Sequence, residues 1–203
     1  MIELSRLYAI LDASCFPDPS ALMTFADTLR AAGVELFQYR NKSGNSRQML
    51  SHARELRRTL PRATLIMNDR ADLCLAAGFK GVHLGQNDLP VEQGRTVVGN
   101  DLWIGVSTHN PEQVSLADAT SADYLAIGPV FATKSKANPD PVIGVAGIRA
   151  ARALTRKPLV AIGGITRANC RAALEAGANS VAVISDLLES PRQAAAEFLR
   201  ELR

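Results

Sequence analysis

The sequence predicts one α/β domain, a (β/α)8 TIM barrel occupying residues 1–203. Three observations predict it. Short apolar runs alternate with helical patterns eight times without a break, which argues for a parallel sheet. Eight such units close naturally into a barrel, and 203 residues lie near the lower length limit of that fold, about 200. Finally, Ala31-Ala32-Gly33, Ala76-Ala77-Gly78 and Glu175-Ala176-Gly177 each stand between a helix and the next strand, where glycine supplies a left-handed C-cap.

The elements follow in order. The apolar run 7–11 is the first strand, and a helix is expected over 20–32. A strand at 34–38 leads to a helix at 46–60, and the basic run from Arg54 to Arg62 reads as that helix's wet face. Strands at 65–67 and 81–84 precede helices at 70–77 and 90–97. A strand at 103–106 precedes a helix at 110–118, which Thr108 or Asn110 can cap ahead of Pro111. His83 and Trp103, within their strands, read as packing residues. After the strand at 124–127 comes the long irregular stretch 128–144, rich in Lys, Ser, Pro and Gly, which suits an active-site lid. Strands at 159–162 and 180–184 with helices at 145–155, 168–176 and 191–202 complete the set.

Composition narrows the function classes. With 47% hydrophobic and 21% charged residues the chain suits one globular domain with a sizeable core. The net charge of +3 is spread thinly, and no aromatic-rich basic stripe points to nucleic acid. No apolar run reaches membrane-spanning length and no leader pattern opens the chain, so the cytoplasm is expected. Three scattered cysteines, Cys15, Cys74 and Cys170, lack metal spacing and suit a reducing compartment; Cys74 and Cys170 fall in helical patterns as small buried hydrophobes. A homo-oligomer is compatible with the sequence.

Chemistry concentrates where strands end, the face on which such barrels carry their active sites. Gln38, Arg40 and Lys42 alternate after an apolar strand, so an amide and two cations should point one way. Asp69, after the third strand, and Asp88, after the fourth, should meet on one rim. Two carboxylates without a cysteine cluster suit a hard cation such as Mg²⁺; each Asp alone reads first as a helix or turn cap, and the pair beside Arg40 and Lys42 reverses that reading. Cations beside a metal imply a diphosphate. Ser107 can reach a ligand, and His109 is either an acid or base or a polar rim residue. Thr133, Ser135 and Lys136 suit phosphate capture by a closing loop. Gly163-Gly164 after the seventh strand and Ser185 after the eighth occupy the positions where barrels commonly bind a phosphate.

These motifs together resemble the thiamine-phosphate synthase family, from Leu7 to about Leu188. The resemblance is carried by QYRNK at Gln38–Lys42, NDR at Asn68–Arg70, GVHLGQNDLP at Gly81–Pro90 and IGVSTHN at Ile104–Asn110, then by GPVFATKSK at Gly128–Lys136, AIGGI at Ala161–Ile165 and VIS at Val183–Ser185. It implies a transferase that couples 4-amino-5-hydroxymethyl-2-methylpyrimidine diphosphate with a thiazole phosphate, giving thiamine phosphate and diphosphate. It also implies that Gln38, Tyr39, Arg40, Asn41, Lys42, Asn68, Ser107 and Lys136 contact the pyrimidine diphosphate, with Arg40, Lys42, Lys136 and Ser107 serving the chemistry. Thr133, Lys134, Ser135, Gly164, Ile184 and Ser185 would bind the thiazole phosphate, and Asp69 and Asp88 one Mg²⁺. Asn41 stands where an acidic residue is common in the family, and Ser135 where threonine is usual. Two other functions use such a barrel. A thiazole tautomerase transfers a proton without diphosphate or Mg²⁺, and a phospholigand sensor catalyses nothing; neither has a use for Arg40, Lys42, Asp69, Asp88 and Lys136 together.

Overall fold

The computed structural model describes residues 2–133 and 140–203. Lys134, Ser135 and Lys136 lie outside the described residues. Eight strands form a closed parallel barrel in chain order: β1 (Leu7–Asp12), β2 (Leu36–Arg40), β3 (Thr64–Asn68), β4 (Gly81–Leu84), β5 (Trp103–Thr108), β6 (Tyr124–Ile127), β7 (Leu159–Ile162) and β8 (Ser180–Val183). The helices between and after them are α1 (Pro19–Ala31), α2 (Ser46–Thr59), α3 (Ala71–Ala77), α4 (Val91–Val98), α5 (Pro111–Asp118), α6 (Gly144–Leu154), α7 (Cys170–Glu175) and α8 (Pro191–Glu201). Among the described residues no helix is long and apolar enough to cross a membrane.

The period-two alternation of the strands divides the apolar residues into two cores. Tyr8, Ile10, Leu36, Ile66, Tyr124 and Val160 fill the barrel interior. Leu7, Leu11, Phe37, Val82, Ile104 and Val181 point outward into a larger layer beneath the helices. Cys74 and Cys170 are buried there as expected, whereas Cys15 is exposed near the mouth. The basic face of α2 is solvated while Met49, Ala53 and Leu56 are buried.

Strand ends are where the structure departs from the hydropathy pattern. β1, β2, β3 and β5 run on to Asp12, Arg40, Asn68 and Thr108, beyond the last apolar residues. Pairing depends on backbone groups, and Asp12 still sits opposite Arg40 in the β1–β2 ladder. Arg40 and Asn68 at the mouth are therefore held by sheet register rather than by loops.

The repeated Gly motif works as expected: Gly33, Gly78 and Gly177 all have positive φ. Gly78 closes α3 at φ +67°, its N–H bonding back to the carbonyls of Cys74 and Leu75. A Cβ there would meet nothing within 4 Å, so backbone conformation alone requires glycine. Gly78→Ala should therefore cost about 1 kcal/mol, read as a lower urea midpoint with an unchanged slope.

Candidate active site

The C-terminal ends of the strands surround a cavity of about 450 Å³. Alternation along β2 decides which side chains enter it. Gln38, Arg40 and Lys42 line the cavity, as the spacing predicts. Tyr39 and Asn41 turn the other way. The Tyr39 hydroxyl lies 3.0 Å from His52 Nδ1 on α2, and Asn41 Nδ2 donates to that hydroxyl at 3.2 Å. Asn41 also accepts from the backbone of Ser43 and Gly44, so it folds the loop after β2 instead of facing a ligand.

Both cations are paired with acids. Arg40 donates to Asp12, which is buried and also accepts from the backbone and hydroxyl of Ser14 at 3.1 and 2.7 Å. Asp12 thus aims Arg40 across the mouth, a role the sequence hid because a single Asp ending an apolar strand reads as a cap. Lys42 donates to Asp69. Asp69 does not cap α3; Arg70 occupies the N-cap position. Instead Asp69 takes a left-handed backbone, φ 63°, fixed by its N–H bonding to the His83 carbonyl at 2.8 Å. Burial first, and then the hydrogen-bonded Asp88 carboxyl, push the Asp69 acid upward, and Lys42 only partly offsets them. Asp88 also closes its own turn, accepting from the Gly85 N–H at 2.7 Å. Asp88 thus closes its turn while its carboxyl also meets that of Asp69.

No group of three or more His, Cys, Asp or Glu suited to a metal occurs among the described residues. Mg²⁺ does not need one: it commonly binds one or two carboxylates and completes its shell with water and phosphate. Two crowded carboxyl groups, one with its acid raised despite Lys42, form a hard-oxygen donor set. That set fits such an ion.

The cavity floor is polar. Asn68 and His83 face each other across β3 and β4. Asn68 is 8% exposed, and its Nδ2 is buried without a partner, a donor left for an acceptor that a ligand would bring. His83 is not the packing residue its strand suggested. Its Nδ1 lies 3.1 Å from the Tyr124 hydroxyl and its Nε2 2.9 Å from Ser107 Oγ. Burial pushes its pKa down to about 4 against a weaker upward pull from Asp88, which keeps the ring neutral. Trp103, in contrast, does pack against the interior core.

Across the mouth, Gly163, Gly164, Ile184 and Ser185 line the cavity, with Thr133 beside them. Ser185 opens a short 3-10 turn to Leu187, directly after β8. This wall has no lysine or arginine among its described lining residues. Gly164, at φ +63°, touches backbone: a Cβ there would lie 2.4 Å from the Ala132 carbonyl oxygen. His109 donates from Nδ1 to the Gly128 carbonyl at 2.6 Å, tying the end of β5 to the chain after β6. Asn110, not Thr108, caps α5, while the Thr108 hydroxyl donates to Ala126 O at 2.8 Å.

Comparison with known proteins finds relatives along nearly the whole chain. The family model described as thiamine monophosphate synthase matches residues 7–187. A thiamine-phosphate synthase of Koribacter versatilis is 63% identical, over 99% of this chain and 97% of its own length. One from Chloroflexus aurantiacus is 42% identical, over 97% and 92%. The solved thiamine phosphate pyrophosphorylase from Pyrococcus furiosus superposes with a TM-score of 0.86 at 31% identity, covering 97% of this chain and 95% of that one.

The crowding at Gly164 is testable. Gly164→Ala adds a backbone clash to the left-handed penalty and should cost about 2–4 kcal/mol in chemical unfolding. A loss no larger than that of Gly78→Ala would show that the contact with Ala132 is not what requires glycine there.

Proposed function

The chain belongs to the thiamine monophosphate synthase family, and from that premise we propose a Mg²⁺-dependent transferase. It joins 4-amino-5-hydroxymethyl-2-methylpyrimidine diphosphate to a thiazole phosphate, either the thiazole phosphate itself or its carboxylated form. The products are thiamine phosphate and diphosphate. One observation carries this reading: a cation pair and a carboxylate pair share one side of a cavity whose other side is lined by glycine and hydroxyl groups. The first side suits a diphosphate with its metal. The second suits a monophosphate held by neutral donors.

In this reading Arg40 and Lys42 hold the diphosphate, and Gln38, Asn68 and Ser107 hold the pyrimidine end. Asp69 and Asp88 hold one Mg²⁺. Thr133, Gly164, Ile184 and Ser185 hold the thiazole phosphate. Lys136 on the diphosphate, and Lys134 and Ser135 on the thiazole phosphate, complete the set from outside the described residues. Tyr39 and Asn41 serve by bracing β2 and its loop. Bound Mg²⁺ supplies Lewis-acid stabilisation of the leaving group.

The chain's own residues do the rest. The methylene C–O bond breaks with its electron pair leaving on the diphosphate, and Arg40 and Lys42 face that growing negative charge. The amino group of the ring spreads the positive charge left on the methylene. The thiazole nitrogen, held across the cavity, then donates its lone pair to form the C–N bond. No protein nucleophile takes part, and juxtaposing the two reactants supplies much of the acceleration.

The test is diphosphate release and thiamine phosphate formation with both substrates and Mg²⁺, against an EDTA control. Folded protein that binds thiazole phosphate yet forms no product would shift the reading to a tautomerase or a sensor. Arg40→Ala should slow product formation by roughly 10²–10³. Asp69→Asn should abolish the Mg²⁺-induced rise in Tm and cut turnover by on the order of 10². In EDTA the same variant should melt at or above the wild-type temperature, because an amide relieves the crowding with Asp88.

A further inference from the structure

Five side chains from five strands form one hydrogen-bonded chain across the barrel floor. Gln38 Nε2 donates to the Tyr8 hydroxyl at 2.9 Å. The Tyr8 and Tyr124 hydroxyls are 3.1 Å apart. Tyr124 lies 3.1 Å from His83 Nδ1, and His83 Nε2 lies 2.9 Å from Ser107 Oγ. Gln38, Tyr8, Tyr124 and His83 are all buried.

Each hydroxyl has one hydrogen, and a buried hydrogen needs an acceptor, so a first donor whose nitrogen cannot accept orders the whole chain. Tyr8, accepting from Gln38, donates to Tyr124. Tyr124 donates to His83 Nδ1, which leaves the ring proton on Nε2 to be donated to Ser107. Ser107 accepts there and turns its own hydrogen toward the cavity. At the other end Gln38 turns its NH2 group to Tyr8, which leaves its carbonyl oxygen as the group to face the cavity. Burial raises both tyrosine pKa values, so the hydroxyls keep the hydrogens that order the chain.

We infer that this chain is a polarity relay: Tyr8, Tyr124 and His83 hold Gln38 as an acceptor and Ser107 as a donor. The pair then selects an aminopyrimidine, which offers an amino N–H and a ring-nitrogen lone pair, over the same ring carrying an oxo group and a ring N–H. The inference rests on the pyrimidine substrate proposed above and deepens it. The three relay members act as positioning residues. Tyr124 carries the relay and is not among the cavity-lining residues.

The backbone is built to admit the relay. Gly105, opposite Tyr124 in the β5–β6 register, would place a Cβ 2.0 Å from the Tyr124 ring. Any side chain there would drive the phenol out of line with Tyr8 and His83. The edge-on packing of Tyr8 against Tyr124, ring centroids 6.4 Å apart, fixes the other approach.

The test uses two non-reacting probes, the phosphomonoesters of the 4-amino pyrimidine and of its 4-oxo counterpart. Calorimetry gives the ratio of their dissociation constants. Wild-type protein should prefer the amino form by on the order of 10² or more, because the oxo form leaves buried groups mismatched. Tyr124→Phe should shrink that ratio at least about tenfold, an effect a merely structural role would not produce, since damage weakens both probes alike. Tyr8→Phe cuts the relay nearer Gln38 and reads the same effect if the first variant folds poorly. A wild-type preference that persists in folded Tyr124→Phe or Tyr8→Phe overturns the relay and leaves the proposed function standing. Wild-type protein that binds neither probe overturns both.

Discussion

Alternation along eight parallel strands is the constraint on which the rest of this structure depends. Neighbouring residues on a strand must face opposite sides, and closure of the sheet gives those sides unlike surroundings. On β2, Gln38 and Arg40 enter the mouth while Tyr39 between them is buried against α2. On β4, His83 reaches the polar floor while Val82 and Leu84 lie in the outer core. A one-residue slip would exchange these sets and place charge under the helices. The register that stabilises the barrel is therefore the same one that assembles the site.

The cations at the mouth are paired with acids. Arg40 rests on Asp12, and Lys42 on Asp69. The two pairs differ in burial, and this matters. The Asp12 side chain is 5% exposed and bound to Ser14 as well, so it is anchored. Lys42 is 53% exposed, and an ion pair so open to water is held weakly. In the proposed function a diphosphate with its metal would exchange that second pair at little cost, Lys42 turning to phosphate and Asp69 to the cation. Arg40 can meet the same phosphate without leaving Asp12, because a guanidinium has five N–H groups to share.

The fold was legible because its apolar runs are short, evenly spaced and broken by glycine. Much of the site was legible because polar residues standing at the ends of apolar strands have few structural uses; Gln38, Asn68, Asp69, Asp88, Ser107 and Gly164 all line the cavity. The motif-level resemblance treated QYRNK as a unit, and alternation splits it, sending Tyr39 and Asn41 outward. Tyr8 and Tyr124 could not be recognised from sequence. Each sits in an apolar strand where a tyrosine counts as core, and only barrel closure brings two residues 116 positions apart into hydrogen-bond contact. Gly105 was silent for the same reason, since its neighbour is across the sheet and not along the chain.

The distribution of satisfied and unsatisfied groups also says where a ligand is needed. A buried polar chain is tolerable in a barrel core only when each member has a partner, and the floor from Gln38 to His83 meets that condition. The exceptions are two adjacent residues at the end of β3. Asn68 has a buried donor without an acceptor, and Asp69 combines a left-handed backbone with a carboxyl crowded by its neighbour. Such features persist only where the surrounding structure holds them in place, and they gather at functional sites. An oxygen-rich ligand carrying a cation would serve both at once, giving Asn68 an acceptor and the Asp69–Asp88 pair a positive charge beyond the exposed Lys42. This dipeptide therefore lies where the cation-and-acid wall meets the floor, the point at which, in the proposed function, a diphosphate would join its ring.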